Sequence, residues 1–313
     1  MEYECEFKAE RVFEVLETEN TITNKENAVF STEFKDKISI ENINFKYEDE
    51  YVLKNFSLTV PKGKTVALVG QSGSGKSTIA NLLTRFYDVD EGTIKIDGID
   101  MTQVPPYKRP VNIMFQNYAL FPHMSVFDNI AYGLKKEGLS KDIIEDKVAK
   151  ILSLVKLEEY GKRKPNQLSG GQSQRVALAR SLIKEPKVLL LDEPMAALDK
   201  KLRQSTQFEL VDIQFQLGVT FIIVTHDQEE AMTLSDRIAI MEQGKFVQIG
   251  EPNSIYENPN SNFVADFIGN INLFNAKITS TNDDDASFYC EALGGEIVIK
   301  KSIQDQNVKD VTL

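Results

Sequence analysis

Residues 70–78, Gly-Gln-Ser-Gly-Ser-Gly-Lys-Ser-Thr, follow directly on the apolar run Thr65-Val66-Ala67-Leu68-Val69. That order constrains the fold more than any other feature of the chain. A buried strand that runs into a glycine-rich turn and then a helix is the P-loop arrangement, which belongs in a mostly parallel sheet. Backbone N–H groups of such a turn wrap phosphates, Lys76 can reach the β- and γ-phosphates, and Ser77 offers a hydroxyl to Mg²⁺. Gly70, Gln71, Ser72, Gly73, Ser74, Gly75, Lys76, Ser77 and Thr78 are therefore candidate nucleotide-binding residues. Beyond Lys76, the residues Ile79, Leu82, Leu83 and Phe86 recur at helical spacing, which predicts a helix burying all four on one face. Phosphates would meet that helix at its N-terminus, where free N–H groups and the macrodipole favour anions.

Two further aliphatic runs, Val188–Leu191 and Thr220–Val224, each close on polar residues. Strands alternating with helices predict a parallel sheet covered on both sides, with ligands at the carboxyl ends of its strands. Asp192 and Glu193 end the first run. An acid there can hold Mg²⁺ opposite Ser77, and its neighbour can polarise an attacking water as a general base. His226 follows the second run. Upstream, Ile38, Ile40, Ile43, Phe45 and Tyr47, then Val52 to Val60, predict antiparallel strands with one buried face.

The stretch from Ser125 to about Tyr160 reads as helical, with Ile151, Leu152, Leu154 and Val155 inward and its charges solvated. A hairpin is expected across Gln243-Gly244, and short β pieces at 274–278, 288–292 and 296–299. Residues 5–18 read as an amphipathic helix, and 19–34 as a linker. The Asp283-Asp284-Asp285 run reads as a solvated turn, and His123 as structural.

The formal net charge of −11 argues against a nucleic-acid partner, which would ask for a basic face. Cys5 and Cys290 are the only cysteines, too few for a disulfide framework or thiolate cluster. No stretch of about 18 apolar residues offers a membrane span, and the N-terminus lacks the layout of a signal peptide. A pore, if there is one, is expected on another polypeptide.

Leu168-Ser169-Gly170-Gly171-Gln172 lies downstream of the P-loop and opens another expected helix, a second N-terminus suited to an anion. With both strings in one chain, the protein resembles the ATP-binding subunits of ABC transporters. The resemblance implies an α/β fold: a P-loop NTPase of ABC type with an antiparallel β subdomain, a parallel-sheet core and a helical subdomain at about 117–180. A truncated, OB-like C-terminal β piece would follow. It implies ATP and Mg²⁺ as cofactors, the metal held by Ser77, Gln116 and Asp192. Glu193, Gln116 and His226 would be catalytic, Gln116 as the Q-loop amide and His226 as the switch histidine at the γ-phosphate, with Asp227 orienting its loop. Tyr47 resembles the aromatic that stacks on adenine, and Tyr51 competes for that role.

Ser169, Gly170, Gly171 and Gln172 would face the γ-phosphate bound to another subunit's P-loop. Asp199 matches the D-loop aspartate, although Ala196 stands where the family more often has Ser. One P-loop and one signature per chain imply a head-to-tail pair of chains forming two composite sites.

From about Pro105 to Ile278 the chain is similar to ATPases of bacterial spermidine/putrescine importers. PPYKRPVNIMFQNYALFPHMSVFDNIAYGL, RKPNQLSGGQSQRVALARSL, THDQEEAMTLSDRIAIM and FVADFIGNINLFNAKI carry that resemblance. The first hundred residues, through ERVFEVLET and FKYEDEYVLKNFSLTVPKGKTVALVG, look instead like an ABC exporter just past its membrane domain. The expectation is a mosaic joined between Asp97 and Val104, with segments 1–34, 35–268 and 269–313. Its expected work is ATP-driven import of a small cationic solute of the polyamine kind. Partners would be a second ATPase subunit and membrane permease subunits with a solute-binding protein, at the cytoplasmic face of the membrane. An exporter ATPase portion and a soluble ABC ATPase are the alternatives.

Overall fold

The computed structural model describes residues 34–196, 198–269, 272–281, 285–300 and 310–312. The helix expected over 5–18, most of the linker after it, and Asp283 and Asp284 lie outside the described residues.

Strands β1 (Lys37–Lys46) and β2 (Tyr51–Pro61) pair antiparallel, with Ile38 opposite Val60 and Ile40 opposite Leu58. The three-residue step from Ile40 to Ile43 would turn the second side chain outward on a regular strand. A register shift absorbs it, with Asn42 in the left-handed region at φ 51°, so that both isoleucines stay buried. The chain then enters β3 (Thr65–Gly70) and α1 (Lys76–Thr84). β4 (Glu91–Ile96) and β5 (Ile99–Asp100) complete a four-stranded sheet in the order β2-β1-β4-β5.

The second sheet gathers β6 (Val111–Met114), β7 (Val188–Asp192), β8 (Thr220–Thr225), β9 (Arg237–Glu242) and β10 (Lys245–Gly250) around β3, in the order β10-β9-β3-β8-β7-β6. All of its pairs are parallel except the β9–β10 hairpin. β3 and β8 are buried along their whole length, so hydrophobicity alone says nothing about which way each residue points. The pleat divides them. Ala67, Val69, Leu189, Leu191, Phe221 and Ile223 join a core on one face, whereas Val66, Leu68, Val188, Leu190, Ile222 and Val224 join the core shared with the antiparallel sheet and α1.

The first core is roofed by α2 (Val126–Lys136), α3 (Lys141–Leu154) and α4 (Gly170–Leu182), and flanked by α5 (Lys200–Leu217) and α6 (Gln228–Leu234). Two short helices, α7 (Pro252–Glu257) and α8 (Asn262–Ile268), follow. The last described elements are β11 (Asn275–Thr281), β12 (Asp285–Cys290), β13 (Gly295–Lys300) and β14 (Asp310–Thr312), an antiparallel sheet in the order β13-β12-β11-β14. Its small core contains Ala276, Ala286, Phe288 and the free thiol Cys290. Among the described residues no helix is long and apolar enough to cross a membrane.

Two expectations need correction, and one strand was not expected. Phe86 is not on the buried face of α1: the helix ends at Thr84, and Arg85 takes a left-handed cap at φ 59° whose N–H returns to Asn81 and Leu82. Phe86, 45% exposed, is turned outward and stacks on Phe115 with ring centroids 6.3 Å apart. The helical stretch from 125 is two helices, parted at Gly138 with φ 75°. The C-terminal pieces are joined by β14, which no periodicity announced.

Candidate functional site

Parallel pairing brings strand ends into line. Val69 faces Thr225 across β3 and β8, Leu191 faces Ile223 across β7 and β8, and Met114 faces Leu191 across β6 and β7. Gly70, Gln116, Asp192, Glu193 and His226 therefore follow the same edge of one sheet.

The turn at this edge is built closely. A Cβ on Gly70 would stand 2.3 Å from the Met241 carbonyl oxygen, so β9 admits only glycine there. Gln71, Ser72, Gly73 and Ser77 are exposed, while Ser74, Gly75, Lys76 and Thr78 are buried. Lys76 Nζ curls back over the loop, donating to the Gly70 carbonyl at 2.9 Å, to the Gln71 carbonyl at 2.8 Å and to Ser74 Oγ at 3.2 Å. Burial pushes the Lys76 ammonium below its ordinary range, although Glu193 and Asp192 pull it upward. Among the described residues it forms no ion pair. A buried cation without a direct ion pair is stabilised by an incoming anion. α1 has Gly75 at its N-cap and no side-chain cap, in contrast to α4 and α5, so its first N–H groups remain available to phosphate oxygens.

Glu193 lies just beyond β7 in the left-handed region, at φ 45°, with its N–H on the Val224 carbonyl. Gln116 Nε2 donates to Glu193 Oε2 at 2.6 Å, and His226 Nδ1 meets Glu193 Oε1 at 2.9 Å. With its proton on Nδ1 the imidazole donates to the carboxylate and leaves Nε2 outward. Asp192 is half-buried; burial and the adjacent Glu193 charge raise its carboxyl, with Lys76 opposing. Ser77, Asp192 and the Gln116 amide oxygen, which is not used in the bond to Glu193, supply hard oxygen donors of the kind Mg²⁺ takes. Among the described residues no three His, Cys, Asp or Glu converge on a metal position, so a cation here would complete its shell with phosphate and water oxygens.

Tyr47 follows β1, and its hydroxyl donates to Thr78 Oγ1 at 3.2 Å. Its ring packs edge-on against Phe45 and Tyr87, leaving 47% of the residue exposed beside the P-loop. Tyr51 instead lies under the Lys46 ammonium.

The signature residues are placed apart from this group. Ser169 caps α4, its Oγ accepting from the Gln172 N–H at 3.3 Å while Gln172 Oε1 accepts from the Ser169 N–H at 2.9 Å. Among the described residues no hydrogen bond joins Ser169, Gly170, Gly171 or Gln172 to residues 70–78 of the same chain. Asp199 is exposed and caps α5 through the Leu202 N–H.

Behind His226 lies a polar cluster that sequence reading reached only in part. Asp227, expected to orient the His226 loop, caps α6 through the Glu230 N–H at 3.0 Å and pairs with Arg203. Glu230, only 2% exposed, takes a 2.5 Å hydrogen bond from Thr225. The Asp227–Glu230 spacing signals a helix start, but nothing in it signals that Glu230 would be buried.

Residues 53–196 match the ABC transporter family (ABC_tran). The putrescine transport ATP-binding protein PotG of Escherichia coli (strain K12) is 55% identical over 247 residues, 79% of this chain and 66% of PotG. The spermidine/putrescine import ATP-binding protein PotA of Thermotoga maritima is 49% identical over 248 residues, 79% of this chain and 67% of its own. The chain thus spans about two thirds of the length of these curated relatives. Residues 105–313 alone are fewer than the 247 matched, so the likeness to PotG reaches upstream of Pro105. Among solved structures, cbiO1 of Clostridium perfringens, part of the ABC transporter complex cbiONQ, superposes with a TM-score of 0.68 at 30% identity, over 72% of this chain and 92% of cbiO1. A dimeric post-hydrolysis ATP-binding cassette, MJ0796 bound to ADP and Pi, gives 0.60 at 30% identity, over 69% of this chain and 98% of that one.

Proposed function

The chain belongs to the ABC transporter ATPase family, and from that membership we propose that it hydrolyses ATP at a dimer interface to drive import of a polyamine-like cation. One observation carries the catalytic part: the Glu193 carboxylate is gripped by Gln116 at 2.6 Å and by His226 at 2.9 Å. So oriented, Glu193 accepts a proton from water as the water oxygen bonds to the γ-phosphorus and the bond to the β–γ bridging oxygen breaks. Lys76 and the N–H groups opening α1 take up phosphate charge, and Tyr47 offers its ring to the base. Ser77, Asp192 and Gln116 would hold Mg²⁺, which supplies charge neutralisation at the β- and γ-phosphates. Ser169–Gln172 and Asp199 serve a second chain, because their own P-loop does not engage them; the dimeric MJ0796 structure supports that reading.

The solute follows from the relatives, whose names specify putrescine and spermidine. Permease subunits and a solute-binding protein complete the assembly at the cytoplasmic face of the membrane. The sheet β11–β14 forms part of an OB-like regulatory piece. We further propose a mosaic origin, resting on the exporter-like strings before residues 97–104 alone, since the likeness to PotG itself extends upstream of Pro105. The segment that meets the permease, Gln116–Asn129, comes from the importer side, which favours import over export.

The test is Mg-ATP hydrolysis against protein concentration, with Glu193→Gln as the blank, followed by labelled putrescine uptake into vesicles carrying a polyamine permease. Specific activity should rise with concentration, and the variant should lose at least about 100-fold, the usual contribution of a general base. Concentration-independent turnover would rule out the dimer. Robust hydrolysis without uptake would remove the polyamine assignment.

A further inference from the structure

Gln174 lies in the second turn of α4 and is 2% exposed. Its Nε2 donates to the Pro194 carbonyl at 2.9 Å and approaches Met195 Sδ at 3.3 Å. Pro194 directly follows Glu193. Ala196 N–H bonds back to the Glu193 carbonyl and Leu198 N–H to the Met195 carbonyl, and these two bonds close the turn between Glu193 and Asp199, the N-cap of α5. Among the described residues Gln174 is the one α4 side chain hydrogen-bonded to this turn. A second contact lies at the same junction: the Leu202 side chain, in the first turn of α5, packs against Gly171, with Cδ2 2.9 Å from where a Cβ would stand.

Burial of a carboxamide for packing alone is a poor choice, because Gln174 Oε1 finds no hydrogen-bond partner and a leucine would fill similar space without that cost. The donor therefore has a task that an apolar side chain cannot perform. Deepening the two-chain reading above, on which this inference rests, we propose that Gln174 is a positioning residue coupling the two composite ATP sites. At one end of its link is the signature Ser169–Gln172, which serves the partner's nucleotide. At the other is Glu193, which acts on this chain's own. A shift of α4 when the signature meets the partner's γ-phosphate is passed by the amide to the backbone that carries Glu193, so each site becomes competent when the other is filled. The coupling runs through one rigid helix and one turn, a contiguous path with stated contacts.

The test compares the parent with Gln174→Leu and Gln174→Glu. The first removes the donor and keeps bulk; the second keeps length but faces the Pro194 carbonyl with an acceptor. Three quantities are read: affinity for a fluorescent ATP analogue, kcat and KM for Mg-ATP, and the Hill coefficient. Affinity should stay within twofold, because the P-loop is untouched. kcat should fall at least tenfold, and the Hill coefficient should drop from above 1 to 1 in both variants. Parent-like kcat and Hill coefficient in either folded variant would overturn the proposal, as would equal loss of binding and turnover, which marks a purely structural role. If Gln174→Leu does not fold, Gln174→Glu decides alone. ATP-driven dimerisation in the Glu193→Gln background separates the two levels. Absence of that dimer without any change at Gln174 removes the two-chain reading and this inference with it. Its presence alongside unaltered Gln174 variants removes this inference alone.

Discussion

Glu193 and His226 meet at 2.9 Å, although 33 residues of chain separate them and each follows a different strand. The pairing of β7 with β8 places Asp192 beside Val224, and both side chains emerge just past that register at one sheet edge. Gln116 on the far side of the carboxylate makes it a three-residue unit. Such an arrangement holds the Glu193 carboxylate in one orientation, as the proposed general-base role requires. His226→Ala should therefore lower kcat by roughly 100-fold, within the range for a group supporting general-base catalysis. KM should move far less, because His226 is not part of the P-loop. Steady-state kinetics settle the matter, and a variant that changes KM alone would reassign His226 to binding.

Lys76 anchors the loop through its ammonium, the group proposed to take up phosphate charge. Lys76→Ala removes three hydrogen bonds to Gly70, Gln71 and Ser74. ATP affinity should fall at least about tenfold, the equivalent of one charge-assisted hydrogen bond of roughly 1.5 kcal/mol. Equilibrium titration with a fluorescent analogue reads it out, and unchanged affinity would refute the phosphate assignment.

Tyr47 is the adenine platform in the present reading, with its hydroxyl on Thr78 and its ring propped by Tyr87. Tyr47→Ala should weaken ATP and GTP alike by about 1–3 kcal/mol, since stacking on a base is tolerant of its identity. Tyr51→Ala should leave both unchanged. The reverse pattern would move the platform to Tyr51.

Glu230 gives a pH dependence with a definite sign. Burial, aided by Asp227 and opposed by the Thr225 hydrogen bond, raises its carboxyl from 4.5 to about 7. The folded state then holds the proton more tightly than the unfolded chain. Its contribution is fully present below pH 4.5 and is lost as pH rises to about 7. Glu230→Gln stays neutral and should be more stable than the parent at pH 8 by up to about 3 kcal/mol, with the gap closing towards pH 4.5. Urea midpoints across that range provide the comparison, and a pH-independent gap would contradict it.

Gly70→Ala tests how tightly β9 closes on the loop. The new methyl would lie 2.3 Å from the Met241 oxygen, a contact only backbone movement can relieve. Stability should drop by about 1–3 kcal/mol, the usual cost of forcing atoms into a filled space. ATP binding should weaken with it. Parent-like thermal unfolding would mean the turn is looser than its geometry.

The strand, turn and helix of the P-loop were legible in the sequence because they are contiguous, each following from the residues between Thr65 and Thr84. The cap of α4 was equally local, since Ser169 and Gln172 are three residues apart on one turn. Phe86 shows where local reading ends. Its spacing fits the buried face, yet the left-handed cap at Arg85 stops the helix first and sends the ring outward.

The sequence by itself therefore determined the family and the strand, turn and helix of its P-loop, since that motif is nine consecutive residues set between two local elements. Only the tertiary structure decided which distant side chains act together. Gln116 with Glu193 and His226, and Gln174 with Pro194, are joined by strand register and helix packing, and an all-apolar strand carries no periodic signal of what it faces. Local chemistry is written along the chain; its alignment is set by the pleat.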